Sequence, residues 1–368
     1  MRIAYILTTL GVGGAERQVL ALADRMAARG HAVLVVVLRR RGGHEWPTER
    51  EVHSLDMRKS PVSILAGIAR ARRVLRAFRP DLVHSHTFPA NMTARALRLL
   101  GCAAPVLSTI HNVYEGGRHR MLAYRLTDRL SRHTTAVSEA AALRYVHLKA
   151  VPPGKCRVLT NGVDTGEFAP DAERRSRVRA AMGVGGEFVW LAAGRVVPAK
   201  DYPNVLRAFA RVREGCPDAR LWIAGEAADA ELGPLKTLAG ELGLGESVRW
   251  LGLRRDMAGL LDAADGFVLG SAWEGMPLAV AEAMAMEKPV VATDVGGVRE
   301  LVGSAGKVVP AGNAAALAEA MLEAAGQTPD ERSQAGRAAR RRIEDHFSMD
   351  VKADEWESLY LTLLPQER

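Results

Sequence analysis

Short apolar runs alternate with longer stretches of mixed apolar and polar residues along the chain. Runs at 3–7, 33–38, 82–84, 106–109 and 134–137, and again at 188–193, 220–224, 248–251, 266–269 and 290–292, have the apolar continuity of buried strands. The stretches between them carry helical spacing, so the pattern predicts repeated βαβ units in parallel sheets. Each set of five strands is enough for one doubly wound domain, which gives an α/β fold class with one domain at 1–170 and another at 171–347. Between them Pro170-Asp171-Ala172-Glu173-Arg174-Arg175 is polar and charged after a proline, the composition of a linker. In the closing stretch Val351, Trp356, Leu359, Tyr360 and Leu363 recur at helical spacing. An amphipathic helix within 348–368 that packs on a core is expected there.

Composition narrows the class. With 48% hydrophobic and 25% charged residues among 368, the chain is not of the disordered kind and supports two cores. No apolar run approaches the roughly 20 residues needed to span a bilayer. The apolar start Met1-Arg2-Ile3-Ala4-Tyr5-Ile6-Leu7 is too short for a signal sequence and reads as the first strand. Cys102, Cys156 and Cys216 stand at unrelated spacings, which fits neither a disulfide framework nor a zinc site. A cytoplasmic protein is expected. Charge is uneven: residues 1–170 hold 26 Lys and Arg against 12 Asp and Glu, hence +14, and residues 171–368 hold 24 against 30, hence −6. The first half therefore suits an anionic partner, whether a phosphate-bearing substrate, a membrane surface or nucleic acid.

Candidate chemistry gathers at the carboxyl ends of the expected strands, where open α/β sheets bind ligands. Gly11-Val12-Gly13-Gly14-Ala15-Glu16 joins the first strand to a helix, and its glycines would let backbone N–H groups approach a phosphate. A dinucleotide-binding domain would want an acid after the second strand, where Arg39, Arg40 and Arg41 stand instead. That substitution argues against a dehydrogenase. After 188–193, Gly194-Arg195-Val196-Val197-Pro198-Ala199-Lys200 supplies two cations: Arg195 can grip phosphate oxygens in a fork, and Lys200 adds a point charge. No Asp-x-Asp triplet occurs, so no metal is expected. After 266–269 comes Glu274, then Pro277 at an expected helix start, then Glu282 eight positions beyond Glu274. Two carboxylates held this way accept hydrogen bonds from a polyhydroxylated ligand. His111 lies just past 106–109, and His84 and His86 end another strand. Taken singly, each of these residues is as well explained as a packed or solvated side chain.

In order along the chain, however, the motifs resemble the family 4 retaining glycosyltransferases of the GT-B fold. The resemblance runs through Gly13-Gly14-Ala15-Glu16, Val137-Ser138-Glu139-Ala140, Thr160-Asn161-Gly162-Val163-Asp164, Gly194-Arg195 with Lys200, and Trp250-Leu251-Gly252-Leu253 with Asp256. It continues through Glu274, Glu282 and Ala292-Thr293-Asp294-Val295-Gly296-Gly297. It implies two Rossmann-like domains facing across a cleft, the first taking the acceptor and the second the donor, with the last helix crossing back to the first. By this resemblance Glu274 would contact the sugar hydroxyls, with Gly275, Met276, Pro277 and Leu278 presenting backbone to sugar and phosphates. Glu282 would bind ribose, and Leu253 would line the donor site. Arg195 and Lys200 would stabilise a departing diphosphate, Gly13 and Gly14 would approach it, and His111 would lie beside the reaction centre. The implied enzyme is a metal-independent hexosyltransferase without a cofactor, using a UDP- or GDP-sugar and transferring with retention.

One segment departs from the family: Gly225-Glu226-Ala227-Ala228-Asp229 stands where an acid, a glycine and a proline commonly follow the first glycine. The nucleotide base is left open by it. The acceptor implied is a glycan, lipid-linked or other hydroxyl in bacterial cell-surface polysaccharide or glycolipid synthesis. The stretch 63–78 reads as a helix with Ile64, Leu65, Ile68, Leu75 and Phe78 apolar and Arg70, Arg72, Arg73 and Arg76 around it. Such a helix either covers a core or lies on an anionic membrane. Two other classes share some of these features. A nucleotide-sugar epimerase has the same architecture, and a non-catalytic nucleic-acid- or membrane-binding protein would explain the basic half. No zinc finger, aromatic recognition strand or basic tail is present, so no nucleic-acid partner is expected.

Overall fold

The computed structural model describes residues 1–11, 13–40, 48 and 50–364, so Val12 of the glycine loop and Arg41 of the basic triplet lie outside the described residues. The chain forms two compact units, Met1–Gly162 with Met349–Arg368, and Val163–Ser348. In the first, β1 (Arg2–Leu7), β2 (Ala32–Val37), β3 (Val52–Ser54), β4 (Leu82–His86), β5 (Val106–Ile110), β6 (His133–Ala136) and β7 (Cys156–Val158) make one sheet in the order β3-β2-β1-β4-β5-β6-β7. Every pairing is parallel, with Ile3 opposite Val33 on one side and Leu82 on the other. Side chains alternate across β1: Ile3, Tyr5 and Leu7 join Val19, Leu22 and Met26 on one face, while Ala4 and Ile6 join Leu75, Ala94 and Leu97 on the other. Both faces are buried, which is why these strands read as unbroken apolar runs.

The helix Met349–Leu363 belongs to this unit, placing Ala353, Trp356, Tyr360 and Leu363 in the core around Tyr5. Arg25 pairs with Asp350 at 2.6 Å and Arg29 with Glu357 at 2.7 Å along its edge.

In the second unit β8 (Val189–Ala193), β9 (Arg220–Ala224), β10 (Val248–Gly252), β11 (Gly266–Leu269), β12 (Val290–Thr293) and β13 (Lys307–Val309) form a parallel sheet in the order β10-β9-β8-β11-β12-β13. All ten expected strands are present. The expectation omitted β3, β7 and β13, each three residues long, at a sheet edge and only partly buried, so none leaves an apolar run. No helix among the described residues is long and apolar enough to cross a membrane.

Two readings need correction. The chain passes between units at Gly162–Val163, ahead of the expected 170/171 boundary. The charged stretch mistaken for a linker is structural: the Asp171 side chain caps the helix Ala172–Ala181, and the Asp171 N–H donates to Asp262 at 3.0 Å. Arg174 pairs with buried Asp262, and Arg175 with Asp265 at 2.5 Å. The expected helix 63–78 begins earlier, as Pro61–Phe78, where Ser60 accepts from the Ser63 N–H. Its buried stripe is Gly67, Ala71 and Leu75, with Met57 packed so closely over Gly67 that a Cβ there would lie 2.3 Å from its side chain. Of the expected apolar set, Ile64 and Leu65 are exposed.

Each sheet reverses its strand order once, between β1 and β4 and between β8 and β11. The loops leaving those carboxyl ends hold the candidate residues.

Candidate active site

At the end of β8 the chain turns through Gly194, whose φ of +148° favours glycine, and the Tyr202 hydroxyl donates to its carbonyl at 2.7 Å. Lys200, in the short 3-10 turn Pro198–Lys200, folds back over this glycine; a Cβ on Gly194 would lie 2.6 Å from Lys200 Cε. Lys200 Nζ then reaches the loop after β11 and donates to Glu274 Oε1 at 2.7 Å. The Ser271 hydroxyl donates to the same oxygen, also at 2.7 Å. Glu274 is thus buried with its charge compensated. Arg195 is exposed and forms no ion pair among the described residues.

The loop carrying Glu274 is clamped by the loop after β12. Thr293 Oγ1 donates to the Ser271 carbonyl at 2.7 Å, and the Gly297 N–H donates to the Gly275 carbonyl at 2.8 Å. Gly296, at φ +56°, passes so close that a Cβ would sit 2.2 Å from the Glu274 carbonyl oxygen. Gly275, Met276 and Pro277 are buried, and the helix Leu278–Ala285 follows. Pro277 precedes this helix rather than opening it, and no side chain caps its first turn, so its leading N–H groups are directed at the loop. Glu282 is buried one turn in. Leu253, half-buried, directly follows β10, two strands from β8.

In the first unit Gly13 is extended and precedes the helix Gly14–Ala28, again without a side-chain cap. Thr9 Oγ1 donates to Glu16 Oε1 at 3.1 Å in its first turn. At the end of β4 and just past β5, His86 Nδ1 and His111 Nε2 are 3.0 Å apart, so one neutral ring donates and the other accepts. Burial pushes His111 down to about 4, and burial with the neighbouring imidazoles holds His86 well below the usual histidine range. Both are neutral at pH 7. His84, grouped with them in the sequence, is committed elsewhere: its Nδ1 meets the Tyr360 hydroxyl and its Nε2 meets Thr109 Oγ1, both at 2.7 Å inside the core.

Sequence reasoning missed Glu115. Its Oε1 accepts from the His111 N–H at 3.1 Å and its Oε2 from the Tyr124 hydroxyl at 2.9 Å. Asn91 Nδ2 donates in turn to Tyr124 and to the Thr109 carbonyl at 2.9 and 3.0 Å. Burial raises the Glu115 carboxyl to about 7. The only sequence signal was the glycine pair Gly116-Gly117 after it, which marks a tight loop beyond His111.

A family model described as Glycosyltransferase Family 4 matches residues 12–167, and one described as Glycosyl transferases group 1 matches residues 187–327. A D-inositol 3-phosphate glycosyltransferase of Arthrobacter sp. is 32% identical over 307 residues, covering 75% of this chain and 69% of the relative. A GDP-mannose-dependent alpha-(1-6)-phosphatidylinositol monomannoside mannosyltransferase of Mycolicibacterium smegmatis is 30% identical over 264 residues, 68% of this chain and 61% of the relative. The crystal structure of Anabaena HepE in complex with UDP-glucose superposes with a TM-score of 0.86 at 21% identity, over 98% of this chain and 100% of that one. The two Rossmann-like units are thus those of the GT-B glycosyltransferases.

Proposed function

The chain belongs to glycosyltransferase family 4, the group 1 glycosyltransferases, and from that membership we propose a retaining, metal-independent hexosyltransferase that uses a nucleoside-diphosphate sugar. The observation that carries this reading is the Lys200–Glu274 pair at the β8/β11 reversal, beside the uncompensated Arg195 and an uncapped helix start. Glu274 accepts from sugar hydroxyls, and the backbone of Gly275, Met276, Pro277 and Leu278 meets sugar and phosphate. Glu282 accepts from the ribose, and Leu253 lines the same site. Arg195 and Lys200 neutralise the leaving diphosphate, helped by the amides at Gly13 and Gly14.

The bond from the anomeric carbon to the diphosphate breaks as the acceptor oxygen attacks from the same face, and the acceptor proton passes to a leaving phosphate oxygen. No protein nucleophile is assigned. His111, neutral at pH 7, is a hydrogen-bonding neighbour of the sugar rather than a cation. The donor is a UDP- or GDP-sugar; the names of the relatives include GDP-mannose, and HepE holds UDP-glucose. The acceptor is a glycan or lipid-linked hydroxyl in bacterial cell-surface polysaccharide or glycolipid synthesis. The +14 charge of residues 1–170 favours an anionic acceptor reached at the cytoplasmic surface of a membrane.

Native mass spectrometry with UDP-, GDP- and ADP-sugars tests the donor site. One class is expected to bind and to be released by Glu282→Gln; failure of all three overturns the reading. Nuclear magnetic resonance of the product then reads the anomeric configuration.

A further inference from the structure

The helix Arg118–Thr127 turns Met121 and Tyr124 into the core and leaves Leu122 and Leu126 in solvent, 53% and 74% exposed. Four residues apart, they share one face of the helix. Arg118 and Arg125 fall on that face at the same helical spacing, Arg129 follows in the 3-10 turn Asp128–Leu130, and all three are exposed. The next helix, Glu139–His147, presents Leu143, 66% exposed, followed by Leu148. Arg144, His147 and Lys149 surround these leucines in solvent. A groove lined by Arg125, Arg129, Val146, His147 and Lys149 connects the basic residues of the two segments, and the exposed leucines stand next to these cations in sequence on each. The acid in that groove, Asp128, is neutralised by Lys155 at 2.8 Å.

Single exposed leucines are ordinary, but several on one face ringed by cations are not. We propose that this two-helix face docks the enzyme on an anionic bilayer, with Leu122, Leu126, Leu143 and Leu148 entering the acyl boundary and the arginines and Lys149 meeting lipid phosphates. Charge complementarity selects this occupant: phosphate headgroups supply many anions over a broad surface, at the depth to which long basic side chains reach beside inserted leucines. The proposal rests on the reading of an acceptor at a membrane, and it names the surface that makes the contact. A competing patch exists at the start of the helix Pro61–Phe78, where Val62, Ile64 and Leu65 are exposed beside Arg58 and Lys59.

Sedimentation of the full chain with phosphatidylcholine vesicles, with and without phosphatidylglycerol, separates these outcomes. The wild type is expected to pellet with the anionic vesicles and to be released by salt. Leu122→Ser with Leu126→Ser, and Arg125→Gln with Arg129→Gln, should each weaken binding about tenfold or more. Val62→Ser with Leu65→Ser should leave it unchanged. Binding of a nucleotide sugar, measured on the same preparations, confirms that each variant is folded. The proposal falls if the wild type does not bind anionic vesicles, if the leucine pair is dispensable, or if the Val62 and Leu65 substitutions abolish binding. Loss of vesicle binding with intact donor binding leaves the glycosyltransferase reading standing. Absence of donor binding in the wild type overturns that reading whatever the vesicles do.

Discussion

Lys200 and Glu274, the ends of two loops that leave neighbouring strands, meet at 2.7 Å across the point where the second sheet reverses its order. The pair fixes the carboxylate before any ligand arrives, and in the proposed reaction the lysine's charge would also serve a diphosphate. Lys200→Ala is expected to lower turnover about a hundredfold, because a transition-state cation is lost and Glu274 is left buried without its partner. Arg195→Ala should lower turnover to a similar degree with less effect on thermal stability, since Arg195 is exposed and holds nothing else in place. Initial rates at saturating donor, read beside melting curves, check both.

In the proposed reading Glu282 holds the ribose and takes no part in breaking the glycosyl bond. Glu282→Gln should therefore raise the KM for donor by about tenfold while changing kcat much less, the signature of lost uniform binding. An equal fall in kcat would move Glu282 into the reacting centre.

The buried titratable groups behind β4 and β5 give opposing pH dependences. His111, pushed from 6.5 to about 4, stays neutral when folded but protonates when unfolded, so its contribution is present above pH 6.5 and is lost as pH falls towards 4. His84 and His86, also lowered, act in the same direction. Glu115, raised from 4.5 to about 7, holds its proton in the folded state; its contribution is full below pH 4.5 and is lost as pH rises through 7. Glu115→Gln should remove the opposing part. Its melting temperature should fall more steeply than that of the wild type as pH drops from 6.5 to 4.5, and should stay flatter between 6.5 and 7.5. Parallel curves would show that Glu115 is ionised in the folded protein.

Gly225 has no room for a side chain, since a Cβ there would lie 1.9 Å from the Gly194 carbonyl oxygen. At Gly194 itself the obstacle is the movable end of Lys200, added to an unfavourable φ. Gly225→Ala should therefore destabilise by about 3 kcal/mol or more, by forcing backbone apart. Gly194→Ala should cost about 1–3 kcal/mol and lower activity by displacing Lys200 from Glu274. Denaturant melts and rate measurements on the two variants distinguish them.

What could be read from the chain alone follows burial. Strands covered on both faces leave apolar runs and are visible, and so is the five-residue edge strand β10 through Trp250 and Leu251; β3, β7 and β13 are three-residue, half-covered edges that leave none. The residues at strand ends were visible because the βαβ pattern fixes where strands stop. Pairings between distant positions were not. Arg174 and Arg175 looked like linker charges because Asp262 and Asp265, which hold them, lie far along the chain. His84 looks equivalent to His86 in sequence, but Tyr360, brought in by the last helix, and Thr109 hold both of its ring nitrogens in the core. Glu115 was one acid in a glycine loop until Tyr124 and the His111 N–H closed around it.

That last helix also sets an order of assembly. The sheet of the first unit ends at β7, yet Trp356 and Tyr360, which fill its core beside Tyr5 and His84, are synthesised only after the whole of the second unit. Domains generally fold as they emerge from the ribosome, amino-terminal first. Here the helix Gly14–Ala28 covers only part of that face of the sheet, and the part around Tyr5 and His84 stays open while the later unit is made, so the amino-terminal unit is the last to be completed.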